Sequence, residues 1–300
     1  MSSLNRTIIY PKVVVYHNLL KDPDQATNML ISHKGATEAD IHLTPWRDWK
    51  PMGNIMNIDG APEDYIEKED TKKFFQETNL KNIYDAFYKA SDDFFEQYKF
   101  SNGWPKYLKT WERDKEPWSH SGISFLRYDP TNYNYDFKNN KQGLAMDYHT
   151  DSAAFNEIDP GRKFVVTVTM YLNDNYEGGE ISFLDESTSK LTNYKPNAGD
   201  VTVFPSGHPY FHGVLPISGG DRYILRMFWF CDYEGDPEWH EGKLKYGEEQ
   251  WKKMHKEYMD KEFNSGKYHR VVVLPGQEFD EANQRSTPVY LKEEDLWHCF

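Results

Sequence analysis

Between Lys163 and Cys231, short apolar runs alternate with turns, and no other feature limits the fold as strongly. Lys163–Leu172 alternates with a period of two: Phe164, Val166, Val168, Met170 and Leu172 face one way, and Val165, Thr167, Thr169 and Tyr171 the other. Gly178-Gly179 breaks the chain before Glu180–Leu184. Pro196-Asn197-Ala198-Gly199-Asp200 does so before Val201–Phe204, and Gly219-Gly220-Asp221 before Arg222–Cys231. Short strands punctuated in this way predict an antiparallel barrel or jelly roll. Gly122–Tyr128 is a further candidate strand. Residues 7–16 (TIIYPKVVVY) read as a strand interrupted by Pro11 at a sheet edge.

Helices flank this β region, so the expected class is mainly β with helices at both ends. Asn79 is a candidate N-cap for a helix to about Lys99, in which Ile83, Phe87, Ala90, Phe94 and Tyr98 form one apolar stripe. Such a stripe is core packing rather than function. Asp22-Pro23-Asp24 opens a shorter helix. Gly247–Phe263 is a third, with Trp251, Met254 and Tyr258 on one face, followed by a strand at His269–Leu274. The expected layout is an N-terminal support over 1–110, a β core over 111–235 and a C-terminal helical extension over 236–300, all one compact unit. The long connection 129–148 carries Tyr133, Tyr135 and Phe137 and reads as a cover or lid for the barrel mouth. The terminal 296–300 is apolar enough to dock.

Composition excludes several functions. A net charge of −13 argues against nucleic acid or an anionic membrane as partner. Two cysteines without a C-x-x-C make a disulfide framework or zinc knuckle a poor reading and suit a reducing cytoplasm. No run approaches the roughly 18 apolar residues of a membrane span, and no basic segment leads into an apolar one at the start. A Walker loop and a Gly-x-Ser-x-Gly elbow are both absent.

Two His-x-acid triplets occur, His149-Thr150-Asp151 and His255-Lys256-Glu257. Composition alone gives about two by chance, so geometry must separate them. On a strand, residues two apart share a face and can reach one ion; on a helix they diverge. His255 and Glu257 fall in a predicted helix and read as surface, whereas His149 and Asp151 lie in extended chain. A third ligand comes from either His208 or His212, because Pro205, Gly207 and Pro209 forbid the helix on which both would face one ion; from His212 to Arg222 the chain reads as a loop, a Gly-Gly turn and the start of a strand. Two His and one carboxylate leave coordination positions open, which suits a non-haem Fe(II) oxygenase. Zinc is the competing chemistry.

The ordered set of motifs resembles the 2-oxoglutarate- and Fe(II)-dependent dioxygenases, within them the prolyl 4-hydroxylase-like group. It comprises His149-Thr150-Asp151, Tyr171-Leu172-Asn173, Gly178-Gly179-Glu180, Pro196–Phe204, and His212-Gly213-Val214-Leu215-Pro216 followed ten residues after the His by Arg222. The resemblance covers about residues 122–230 and implies a double-stranded β-helix. It implies His149, Asp151 and His212 as metal ligands, and Arg222, Tyr171 and Tyr128 as residues binding 2-oxoglutarate. Fe(II), 2-oxoglutarate and O2 are the implied cofactors, with ascorbate a candidate reductant. The implied activity is hydroxylation of an unactivated C–H, with prolyl or lysyl residues of a peptide as leading substrate and a free amino acid or small metabolite as alternative. Arg at 222 suits a carboxylate, since its planar fork pairs with one at two points. Two other classes stay open: a metal-binding jelly roll of different chemistry, which would bind metal without 2-oxoglutarate, and a non-catalytic binding module.

Overall fold

A computed structural model of the chain describes residues 4–32, 47–49, 80–99, 118–120, 123–128, 145–151, 162–232, 237–264, 269–273 and 287–290. The lid expectation for Tyr133, Tyr135 and Phe137 and the docking of 296–300 lie outside the described residues. In chain order the first elements are β1 (Arg6–Tyr10), β2 (Val13–Tyr16), α1 (Pro23–Ser32), β3 (Arg47–Trp49), α2 (Leu80–Tyr98), β4 (Trp118–His120), β5 (Ser124–Tyr128), β6 (Met146–His149) and β7 (Arg162–Tyr171). Then come β8 (Glu177–Gly178), β9 (Ile181–Asp185), β10 (Lys190–Tyr194), β11 (Val201–Pro205), β12 (Phe211–Val214), β13 (Ile217–Gly219) and β14 (Arg222–Asp232). The last are α3 (Pro237–Tyr246), α4 (Glu248–Asn264), β15 (His269–Val273) and β16 (Thr287–Tyr290).

The strands form two main sheets. One runs β1-β2-β11-β7-β14-β5-β3 with β4 also on β14; the other runs β10-β9-β12-β6-β15-β16. From β5 to β14 the chain passes repeatedly from one sheet to the other, as in a jelly roll, and pairing is antiparallel except between β15 and β16. Every helix among the described residues is too short or too polar to cross a membrane.

The alternation of β7 has a direct structural consequence. Val166, Val168, Met170 and Leu172, with Leu225, Met227 and Trp229 of β14, pack against Ile83, Phe87, Ala90 and Phe94 of α2. Each such fully buried side chain contributes about 1.5–3 kcal/mol. Trp229 Nε1 donates to Ser91 Oγ at 2.8 Å, so the one polar atom of that ring is satisfied inside the core. The opposite face of β7 and β14 carries Thr167, Tyr171 and Ile224. There Tyr171 and Ile224 join Met146 of β6 and Val214 of β12 from the second sheet.

Three expectations change. Residues 7–16 are a hairpin, not one interrupted strand: Pro11 and Lys12 form the turn, Lys12 with φ 59°, and β2 is an inner strand between β1 and β11. His212 lies on β12 rather than in a loop, because β9 and β6 pair with that four-residue strand on both sides. The stripe on α4 stays open, with Met254 at 37% and Tyr258 at 55% exposure. Its Trp251 instead stacks on Tyr246 of α3 at 5.8 Å.

The Gly178-Gly179 turn is steric in origin. Gly178 has φ +69°, and a Cβ there would lie 2.0 Å from the Pro216 carbonyl oxygen. Gly178→Ala is therefore expected to destabilise by about 3 kcal/mol or more, read as a lowered urea midpoint. An unchanged midpoint would contradict the account of this turn.

Candidate metal centre and carboxylate pocket

Strand register assembles the triad. His212 on β12 stands directly opposite His149 at the end of β6, and Asp151 follows two residues on. Directly opposed residues of neighbouring strands share a face, so two histidines distant in sequence meet, their ring centroids 4.6 Å apart. Asp151 lies beneath both: His149 Nε2 is 3.3 Å from Oδ1 and His212 Nε2 3.3 Å from Oδ2. One ligand atom from each residue falls within 4.8 Å of the others. Two donors about 2.1 Å from one ion at right angles stand about 3 Å apart, so the set fits a single divalent metal with an open side. Among the described residues it is the one such cluster.

The surroundings prepare these donors. Thr167 Oγ1 donates to Asp151 Oδ2 at 2.7 Å, and its oxygen also shares a 2.8 Å hydrogen bond with Ser206 Oγ. Asp151 is buried, which alone would raise its pKa; the neighbouring imidazoles outweigh burial and hold its carboxyl well below the usual range. Burial pushes His212 down to about 4, so its ring is neutral at pH 7. Its Nδ1 lies 3.2 Å from the Tyr210 carbonyl, a contact that needs the proton on Nδ1 and leaves the Nε2 lone pair free for a metal. Phe204 packs edge-on against the ring at 4.7 Å. Thr167→Val keeps shape and removes the donor to Asp151; a metal affinity about 10–100-fold weaker is expected in equilibrium dialysis.

Arg222 opens β14 and is 1% exposed. Neither neighbouring carboxylate claims it. Asp221 pairs with Arg127 at 2.9 Å and accepts from the Tyr223 hydroxyl. Asp200 accepts from the backbone nitrogens of Asn18 and Asn197. Arg222 Nε and Nη1 are buried and make no hydrogen bond of ordinary geometry, and the same holds for the hydroxyls of Tyr171, Tyr176 and Thr202. The guanidinium stands 4.8 Å from the Tyr128 ring centroid and 5.4 Å from that of Tyr171. Burial opposes its charge, but the phenol groups of Tyr176, Tyr128 and Tyr171 outweigh burial and favour it. A buried cation with unsatisfied donors among hydroxyls has the chemistry to pair with an anion.

Asn173 fixes this geometry. Its Nδ2 donates to the Asp221 carbonyl and its Oδ1 accepts from the Tyr223 nitrogen, both at 2.8 Å, which pins the start of β14 on either side of Arg222. The Gly179 position serves the same end: a Cβ there would crowd Tyr176 Cε2 at 2.9 Å and Arg222 Cδ at 3.2 Å.

The structure thus brings His149, Asp151 and His212 together, and separately Arg222, Tyr171 and Tyr128. His208 stands apart, exposed, with Nε2 2.9 Å from Glu186 Oε2. His255 and Glu257 lie on α4, away from the triad. Thr167, Tyr176 and Thr202 were not singled out from sequence. Thr167 left a trace, as a polar residue on the inner face of an apolar strand; Tyr176 left none.

Known proteins match the same region. The 2OG-Fe(II) oxygenase superfamily pattern matches residues 132–231. A 2-oxoglutarate and iron-dependent oxygenase domain-containing protein 3 of Xenopus tropicalis is 30% identical over 97 residues, covering 30% of this chain and 28% of that protein. A PKHD-type hydroxylase of Thermosynechococcus vestitus is 34% identical over 103 residues, covering 34% of this chain and 44% of its own. The matched segment spans less than half the length of either relative. The viral collagen prolyl hydroxylase of Paramecium bursaria Chlorella virus-1 superposes with a TM-score of 0.41 at 18% identity, over 77% of this chain and 98% of that one. Residues 132–231 of this chain thus match the 2OG-Fe(II) oxygenase superfamily.

Proposed function

We propose that this chain is a 2-oxoglutarate- and Fe(II)-dependent dioxygenase that hydroxylates an unactivated C–H, with a prolyl or lysyl residue of a peptide as substrate. One observation carries the co-substrate half of this reading: a buried arginine with free donors, on the sheet that faces the triad. A metal-binding jelly roll of other chemistry has no use for Arg222.

His149, Asp151 and His212 would hold the metal, and Arg222 with Tyr171 the far carboxylate of 2-oxoglutarate. When bound, Fe(II) and 2-oxoglutarate supply the oxidation, in which O2 is consumed, 2-oxoglutarate ends as succinate and carbon dioxide, and a C–H becomes C–OH. The protein's share is geometry. Thr167 aims the Asp151 carboxylate, the Tyr210 carbonyl fixes the His212 tautomer, and Asn173 sets the start of β14. Burial of Arg222 keeps water from its guanidinium, so the grip is stronger than at a surface. Tyr128 of β5 stands opposite Arg222 of β14 and lies near enough to Asp151 to feel its charge. It therefore stands between the two halves of the site.

A prolyl substrate is supported by a relative named prolyl 3-hydroxylase 2, of Homo sapiens, 33% identical over 64 residues, which cover 21% of this chain and 9% of that protein. A small carboxylate-bearing metabolite is the second reading, favoured by Arg226. That residue follows Arg222 on the same face of β14, and its charge is felt by Asp151 and His212. A reducing cytoplasm suits the two cysteines. The test is succinate release from 2-oxoglutarate with Fe(II), O2 and ascorbate, comparing proline- and lysine-containing peptides with free amino acids. Turnover with peptides alone supports the first reading and with free amino acids alone the second; substrate-independent absence of succinate contradicts both.

A further inference from the structure

Tyr176 is an unexplained expense in the core. Its side chain is 5% exposed and packs with Leu126, Ile217 and Ile224, a setting in which phenylalanine would fit as well. Yet it carries a hydroxyl, buried and without a hydrogen bond of ordinary geometry. Burying a hydroxyl unpaired costs about 1–3 kcal/mol, so packing alone does not account for it.

The ring is also held with unusual care. The Lys195 ammonium sits 3.5 Å from its centroid and donates to the Tyr176 carbonyl at 3.0 Å and to that of Gly178. Gly179 and Gly220 close in on the other sides: a Cβ at Gly179 would meet Tyr176 Cε2 at 2.9 Å, and one at Gly220 would meet its Cα and Cβ at 3.5 Å. The phenol is thereby fixed beside Arg222, whose Nε and Nη1 share the same want of partners. A cation over a phenol ring draws electron density from it and so makes the O–H a better donor to an anion.

We infer that Tyr176 is a further donor to the far carboxylate of 2-oxoglutarate, with Lys195 as the residue that positions it. The inference rests on the reading of Arg222 as the carboxylate anchor. It explains why a hydroxyl stands where packing asks for none, and why Lys195, just after β10, lies over the ring. A donor O–H to a charged carboxylate is worth about tenfold in affinity or somewhat more.

The test is anaerobic calorimetry on the Fe(II)-loaded full chain with two ligands: 2-oxoglutarate, and 2-oxobutyrate, which has the same oxo-acid end and no far carboxylate. Tyr176→Phe is expected to weaken 2-oxoglutarate about tenfold, to leave 2-oxobutyrate unchanged, and to melt no lower than wild type. Lys195→Met is expected to shift 2-oxoglutarate in the same direction by less, again sparing 2-oxobutyrate. Unchanged 2-oxoglutarate binding in Tyr176→Phe overturns the inference while the anchor stands. Equal weakening of both ligands also overturns it, by making the residue structural. Wild-type protein that binds the two ligands equally well removes the Arg222 anchor, and this inference with it.

Discussion

Asp151→Ala is expected to abolish metal binding without unfolding the protein. Structural zinc sites bind with about 10–16 kcal/mol over four donors, so one donor is worth about 2.5–4 kcal/mol, or about 70- to 850-fold in affinity. The loss here falls at the upper end, because Asp151 is the only anionic member of the triad and stands between both histidines. Stability should fall modestly, because the two imidazoles and Thr167 outweigh the cost of burying the Asp151 carboxylate. Equilibrium dialysis against Fe(II), with a thermal melt alongside, reads both quantities. Retained metal affinity in Asp151→Ala would exclude the triad as the site.

Arg222→Met is expected to separate stability from ligand binding. The side chain is fully buried and two of its nitrogens are unpartnered, so losing those unsatisfied donors offsets the loss of its attraction to the phenols of Tyr176, Tyr128 and Tyr171. Methionine fills much of the same volume. The melting temperature of the ligand-free protein should therefore not fall. Affinity for 2-oxoglutarate should drop by about 150- to 5000-fold, because a carboxylate left in that pocket without its cation forfeits about 3–5 kcal/mol. Saturating 2-oxoglutarate should raise the melting temperature of the metal-loaded wild type and leave that of Arg222→Met unmoved. A variant that melts early and still binds 2-oxoglutarate would assign Arg222 to structure alone.

Much of this site was legible because it sits on short-range patterns. The period-two alternation of Lys163–Leu172 sorted the residues that meet α2 from Thr167 and Tyr171, which turn to the second sheet. The His-x-Asp triplet starts at the end of a strand, where spacing maps simply onto direction, whereas the interval from His212 to Arg222 crosses three strands and a glycine turn and was legible only as part of an ordered motif. Long-range register was not legible. Local chemistry left His208 and His212 equivalent; the pairing of β12 with β6 decides between them by setting His212 opposite His149 and leaving His208 to Glu186. The same holds for β15, which pairs with β6 on its other side and adds the C-terminal segment to the triad-bearing sheet. Tyr176 escaped because its partners, Lys195 and Arg222, lie well away from it in sequence and converge only in the fold. The stripe on α4 misled in the opposite sense. Helical periodicity reports a face that prefers burial, and here Trp251 finds cover on α3 while Met254 and Tyr258 do not.

The most direct measurement is an anaerobic titration of the full chain with Fe(II) and then 2-oxoglutarate, followed by the visible charge-transfer absorption of an iron-bound oxo acid. A band that saturates at one 2-oxoglutarate per chain, is absent in Asp151→Ala and needs far more 2-oxoglutarate in Arg222→Met is the predicted result. A wild-type protein that binds iron but gives no band at any 2-oxoglutarate concentration would contradict the account.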